Sequence, residues 1–206
     1  MKKPDYSEET RLRRRRFRAV CGVDEVGRGP LAGPVTAAAV ILNPNHIPEG
    51  LNDSKRLSEK QRERLYSLII NSSVVSVTHV SVEDIDRLNI LQASLLAMLR
   101  AVELLERTPD YALIDGNKIP QDLFCPATAL VKGDSKSVSI AAASIVAKIS
   151  RDRLMKALGR ENPGYGWEKN VGYPTKEHFL ALRDLGVTPH HRRSFKPVHN
   201  ILYPKA

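Results

Sequence analysis

The chain has 206 residues, 42% hydrophobic and 27% charged, which suits one α/β domain with a small appendage and excludes a disordered chain or two full domains. Lysine and arginine number 32 against 23 aspartate and glutamate, and this net charge of +9 favours a polyanionic partner, nucleic acid before anionic membrane. Two cysteines without metal-site spacing exclude a disulfide scaffold and a zinc ribbon, and no apolar run reaches the ~18 residues of a membrane span.

Residues 1–18 form a basic arm with eight Lys or Arg and three Asp or Glu, so +5 of the +9 sits there. The apolar stretch after it, Phe17–Val23, runs into Asp24 and is too short for an export signal. A cytoplasmic protein is expected, in keeping with Cys21 and Cys125 as small buried hydrophobes in a reducing compartment. The arm itself reads equally as a solvated tail or as a nucleic-acid contact.

Strands are expected at Ala19–Val23, Val35–Leu42, Val74–Val80, Tyr111–Ile114 and Ala127–Val131. Ser58 and Gln61 make a capping box ahead of a helix lined by Leu65, Leu68 and Ile69. Asn89 caps a second helix from Ile90 to about Arg107, and a third spans Ser137–Leu158 with Gly159 as its stop. Thr175–Leu185 is the last clear helix, closed by Gly186. The order implies a mixed sheet flanked by helices over residues 19–160, followed by a small helical region over residues 161–206.

Three of these strands end in carboxylates: Asp24 with Glu25 next to it, Asp115, and Asp134 after Lys132-Gly133. Ligands gather beyond the carboxyl ends of parallel strands, so adjacent parallel strands would bring the four acids together. Clustered carboxylates must protonate or be neutralised, and an all-oxygen set suits Mg²⁺ or Mn²⁺. Two such ions about 4 Å apart form the clamp used to hydrolyse phosphodiesters. One detail resists: neighbouring strand residues face opposite sides, so Asp24 and Glu25 share a site only if the strand ends or bends there.

Gly27-x-Gly29-x-x-Ala32 satisfies a dinucleotide-binding fingerprint, but that motif must open a helix. Pro30, Pro34 and a following strand-like run exclude it here. The glycines instead let the backbone approach a ligand, with Arg28 beside it, or simply make a tight turn.

Cys21-Gly22-Val23-Asp24-Glu25-Val26-Gly27-Arg28-Gly29-Pro30-Leu31-Ala32-Gly33-Pro34-Val35 resembles the opening motif of bacterial ribonuclease HII. The likeness continues in Leu51-Asn52-Asp53-Ser54-Lys55, Leu113-Ile114-Asp115-Gly116-Asn117 and Val131-Lys132-Gly133-Asp134-Ser135. It extends through Ala142–Lys148, Gly172-Tyr173-Pro174-Thr175 and His190–Phe195, covering the chain from about residue 19 and leaving only the arm outside. The resemblance implies a ribonuclease H-like five-stranded mixed sheet flanked by helices, with a small C-terminal helical region. It implies an endonuclease acting on RNA–DNA hybrid and on DNA duplex containing ribonucleotides; apart from the resemblance, a monomer with no membrane involved is expected. Asp24, Glu25, Asp115 and Asp134 map to the catalytic carboxylates that hold two divalent ions, Mn²⁺ or Mg²⁺. Gly27, Arg28 and Gly29 map to the motif that contacts the ribose 2′-hydroxyl, and Tyr173 to the residue that senses the junction with deoxyribose.

The 2′-hydroxyl is the group that separates RNA from DNA, and it lies in the accessible minor groove. Ser54 and Lys55 are candidate phosphate ligands, with a solvated lysine as the competing reading. His190, His191, Arg192 and Arg193 form a second basic patch that faces the duplex or packs the tail, without zinc-site spacing. Two alternatives stand beside the ribonuclease: a DNA-cutting nuclease or transposase of the same fold, and a non-catalytic hybrid-binding protein.

Overall fold

The computed structural model describes residues 3–204. Its strands are β1 Val20–Val26, β2 Val35–Ile41, β3 Val74–Val80, β4 Tyr111–Asp115 and β5 Ala127–Leu130. They form one sheet in the order β3-β2-β1-β4-β5, antiparallel from β3 to β1 and parallel from β1 through β4 to β5. The three strands that lead into Asp24, Asp115 and Asp134 are therefore adjacent and parallel, the condition on which convergence of the acids depended.

The helices are α1 Ser7–Arg14, α2 Glu59–Ser72, α3 Val82–Leu88, α4 Ile90–Glu103, α5 Val138–Glu161, α6 Trp167–Asn170, α7 Lys176–Leu185 and α8 Lys196–Leu202. No helix among the described residues is long and apolar enough to cross a membrane. β2 is buried on both faces, so its side chains divide by parity. Ala37, Ala39 and Ile41 pack with Ile85 of α3 and Ala93, Ala97 and Met98 of α4. Ala38 and Val40 pack with Leu65 and Ile69 of α2 and with the alanines of α5.

Small residues let α5 lie close to the sheet. A Cβ on Gly22 of β1 would stand 2.1 Å from the backbone carbon of Ser139, so only glycine fits beneath this helix. That approach carries the middle of α5 to the end of β1, where Asp24 lies.

Two boundaries differ from the sequence reading. β1 does not stop at Val23 but stays paired with β2 through Val26↔Thr36, because backbone bonds outweigh the polarity of Asp24 and Glu25. α5 does not stop at Gly159 but runs to Glu161, and a Cβ at Gly159 would lie 2.7 Å from Cδ of Glu168. That glycine serves close packing rather than termination. Cys21 and Cys125 are free and buried, as expected.

Most of the described part of the arginine arm is folded onto the body. α1 buries Leu12 against Val20, Tyr111 and Ile140, while Arg14, Arg15 and Arg16 stay exposed. Glu9, also fully buried, accepts hydrogen bonds from Ser137 Oγ at 2.5 Å and Ser139 N at 3.0 Å. A carboxylate thereby meets the N-terminus of the helix that packs over the site, where the backbone dipole favours negative charge. Glu9→Ala is expected to cost about 2 kcal/mol of stability by leaving those donors without a partner. Urea unfolding checks this, and an unchanged midpoint would reduce the arm to a passive tail.

Candidate active site

Asp24, Glu25 and Asp115 each place a carboxylate oxygen within 4.8 Å of the others. Asp24 and Asp115 arrive on adjacent parallel strands, one residue beyond the last β1–β4 pair, Val23↔Ile114. Glu25 joins them although the strand does not end there, the first of the two ways, an end or a bend, in which both acids could share a site. Glu25 stays paired with Ala37 of β2 but lies past the last β1–β4 pair, so β1 is unpaired on the Asp115 side at this point.

Burial, with the charges of Glu25 and Asp115 added, raises the Asp24 carboxyl well above its ordinary range. Burial also raises Glu25, helped by Asp115 and opposed by Arg28, whose Nη1 stands 3.4 Å from Glu25 Oε1. This is a partly buried, all-oxygen cluster short of positive charge, and that chemistry fits a hard divalent cation.

Asp134 stands outside the tight trio. It does not end β5, which closes at Leu130, but rides on a 3₁₀ turn, Gly133–Ser135. Asp115 Oδ1 accepts the Gly133 amide at 2.6 Å, which latches that turn to the cluster. Burial and then the charges of Asp53 and Asp115 raise the Asp134 carboxyl. A cleft of about 760 Å³ opens here, lined by Asp115, Asp134, Asp53, Lys55, Lys132 and Lys136 among others.

Lys55 is exposed in this cleft, its amide held by Asp53 Oδ1 at 2.9 Å. Ser54 departs from its expected part as a phosphate ligand, being only 4% exposed. Its Oγ lies 2.8 Å from Ser144 Oγ, and Ser144 hydrogen-bonds Asp24. When Asp24 is ionised it only accepts, and the protons then run from Ser54 to Ser144 to Asp24, a string that orients the aspartate.

The loop from Gly27 to Pro34 carries the glycine-arginine-glycine motif and leads into β2, not into a helix. Arg192 donates to the carbonyls of Gly27 at 2.6 Å, Arg28 at 3.1 Å and Gly33 at 2.8 Å. Arg151 of α5 donates to those of Ala32 at 3.1 Å, Pro34 at 3.0 Å and Val171 at 2.9 Å. A Cβ on Gly27, at φ +96°, would collide with Arg151 Nε at 2.2 Å. Burial lowers these guanidiniums to about 9 and about 10 respectively, and both remain cations at neutral pH.

Arg192 and His191 are fully buried, so of the expected basic patch they pack the tail and only Arg193 is exposed. Tyr173 is 39% exposed, and its Cε1 lies 3.5 Å from where a Cβ on Gly29 would be. The structure therefore gathers the carboxylates, the glycine loop, Lys55 and Tyr173 along one face, with Ser54 behind it.

Sequence reasoning missed Ser144, Arg151 and Arg192 as parts of this site. Helical spacing holds a signal for two of them: Ser144, Ala147, Arg151 and Met155 share one stripe, so Arg151 sits where an apolar residue belongs.

The family model described as Ribonuclease HII matches residues 21–198. A ribonuclease HII of Ruegeria pomeroyi is 64% identical over 203 residues, covering 98% of this chain and 87% of that protein. One from Cereibacter sphaeroides is 61% identical, covering 98% and 96%. The ribonuclease H2 crystal structure from Pyrococcus horikoshii aligns with a TM-score of 0.75 at 27% identity, over 89% of this chain and 97% of that one.

Two predictions follow from the geometry of charge. Asp24 has a higher pKa folded than unfolded, so the folded chain holds that proton more tightly and loses stability as pH rises through the raised range. Asp24→Asn is expected to raise the thermal midpoint of the metal-free protein, by ~2–4 °C per kcal/mol of repulsion relieved, and by more at pH 8 than at pH 4. Thermal scans at both pH values without divalent ions measure it, and a lower midpoint at pH 8 would contradict the repulsion. Arg192→Lys keeps the charge but loses the planar fork, so cleavage is expected to fall ~10- to 100-fold with the fold retained. Single-turnover rates beside a thermal scan check this second case.

Proposed function

The chain belongs to the ribonuclease HII family and is an endonuclease of the ribonuclease H type, and from that premise we propose its substrates, ions and residue roles. It hydrolyses the RNA strand of RNA–DNA hybrids and cuts at ribonucleotides embedded in duplex DNA, leaving 3′-hydroxyl and 5′-phosphate ends. The observation that carries this reading is the trio Asp24, Glu25 and Asp115 within 4.8 Å, Asp24 buried and the other two half-buried, lying beside a glycine loop and a half-exposed tyrosine.

Asp24, Glu25, Asp115 and Asp134 hold two divalent ions, Mg²⁺ or Mn²⁺. Such ions supply Lewis-acid activation of water and neutralise charge on the leaving oxygen. The chain's own residues bind and orient. Ser54 and Ser144 fix the Asp24 carboxylate, and the Gly133 amide fixes that of Asp115. Lys55, exposed in the cleft, meets a backbone phosphate as a point charge.

Gly27 and Gly29 bring bare backbone to the ribose 2′-hydroxyl in the minor groove, with Arg28 alongside. The Tyr173 ring packs on the neighbouring sugar, where a deoxyribose fits and an added hydroxyl crowds it. Clustered acids this complete weigh against a non-catalytic hybrid binder.

Matched hybrid, single-ribonucleotide and all-DNA duplexes, each with Mg²⁺, Mn²⁺ or chelator, test the reading. Cutting of the first two only, in the presence of an ion, is expected, with the 5′ ends labelled as phosphates. Cleavage of all-DNA duplex would favour a DNA nuclease of the same fold. Asp24→Asn is expected to abolish cutting while duplex binding persists. Tyr173→Ala is expected to lower cutting at a lone ribonucleotide more than on a long hybrid, and equal losses would remove junction sensing from its role.

A further inference from the structure

Behind Tyr173 lies a buried pair of imidazoles that the proposed chemistry does not use. His178 sits in the first turn of α7, and His191 pairs across an antiparallel bridge with Ala32 of the glycine loop. Both are fully buried.

The contacts determine where each proton sits. The Thr188 amide donates to His191 Nδ1 at 3.0 Å, so that nitrogen is an acceptor and the His191 proton is on Nε2. His191 Nε2 lies 3.1 Å from His178 Nε2, which also accepts from Trp167 Nε1 at 3.1 Å. Indole nitrogen only donates, so His178 carries its proton on Nδ1 and gives it to the Tyr173 carbonyl at 3.0 Å. The string is read the same way from either end. Burial, with His178 and His190 nearby, pushes His191 down to about 3, and burial lowers His178 too, so both rings are neutral.

The target of this string is a loop under tension. Val171 is β-branched yet has φ +45°, a conformation such residues adopt only where their surroundings enforce it. Gly172 follows at φ +85°, where a Cβ would stand 2.6 Å from the Ala32 carbonyl oxygen. The Tyr173 amide is bound to the Asn170 carbonyl at 2.9 Å, and its own carbonyl also accepts from Thr175 N at 2.8 Å. With the backbone held on both sides and proline next, only the ring retains freedom.

We propose that His178 and His191 are positioning residues that hold Tyr173 against Gly29 and so set how sharply the site distinguishes a ribo–deoxyribo junction from continuous hybrid. This rests on the role given to Tyr173 above. The string ties the loop that carries the tyrosine to the segment paired with the glycine loop, so the two halves of sugar recognition keep one spacing.

Two substitutions at His178 separate positioning from packing. The amide of His178→Asn occupies the Nδ1 position, keeping the bond to Tyr173 and losing those to Trp167 and His191. The amide of His178→Gln occupies the Nε2 position, keeping the latter two and losing the former. We measure kcat and KM on lone-ribonucleotide duplex and on long hybrid, with the thermal midpoint from Trp167, the single tryptophan.

The Gln variant is expected to lose about tenfold in the ratio of the two activities, through kcat on the lone ribonucleotide, while the Asn variant, which keeps the bond to Tyr173 but loses its anchor on His191, is expected to lose less. Adding His178→Gln to Tyr173→Ala is expected to change that ratio no further. A ratio that follows the thermal midpoint across both variants, or that neither moves, overturns the proposal. Should His178→Gln not fold, His191→Asn takes its place with the same direction of change expected. If Tyr173→Ala leaves the ratio alone, the reading of the tyrosine fails; if it shifts the ratio and His178→Gln does not, only the histidine proposal fails.

Discussion

Two buried guanidiniums without a carboxylate partner among the described residues hold this site together. Arg151 and Arg192 bind six backbone carbonyls, five of them in residues 27–34. Desolvating a cation costs several kcal/mol, which partial charges on carbonyls offset only when many converge at hydrogen-bond distance. The convergence needs a chain folded back on itself, and glycines at Gly27 and Gly33, both at positive φ, permit the folding. A segment with no regular structure thereby acquires the fixity of a strand.

Positive charge behind the loop and negative charge in front of it serve different ends. The carboxylates repel one another, yet each sits on an element that cannot yield: Asp24 on a central strand, Asp115 on its parallel neighbour, Asp134 on a turn latched to Asp115. The sheet and α5 absorb the repulsion, so the cluster stays poised for cations. Strain at Val171 and crowding at Gly27 are held by the same arginine, Arg151. Stability given up at the front is recovered in the alanine-rich packing of α5 on β1 and β2.

Much of this was legible in the sequence, because β-branched runs, capping residues and the strand-end acids are local signals. The register of β1 was not, since Asp-Glu reads as a link until the partner strand is known to extend to Thr36. Gly159 read as a stop because glycine ends helices more often than it seats a neighbour such as Glu168. α3 was missed although Ser81 caps it through the Asp84 amide, a serine–aspartate spacing that was there to be read. α1 was hidden by its own arginines, whose polarity masks the buried face of Glu9 and Leu12. Ser54 looked like a phosphate ligand by type, and the patch with His191 read equally as facing the duplex or packing the tail; only tertiary packing turns both residues inward.

Rigidity and selectivity are one property in a site of this kind. Ribose and deoxyribose differ by a single hydroxyl, too little for shape or charge to separate in a yielding pocket. A site built to hydrogen-bond that hydroxyl rejects the analogue by up to ~10⁴–10⁵, because its own polar groups are then left unpaired. The penalty exists only if those groups cannot relax toward another partner. Backbone amides of the glycine loop cannot, because Arg192 and Arg151 hold the carbonyls on either side of them. On the proposed reading, the buried arginines make the 2′-hydroxyl necessary to the loop, and the histidine string keeps the Tyr173 ring at a constant distance from it. Charge at the surface then governs how tightly a duplex is held, while uncharged groups locked from behind govern which sugar is cut.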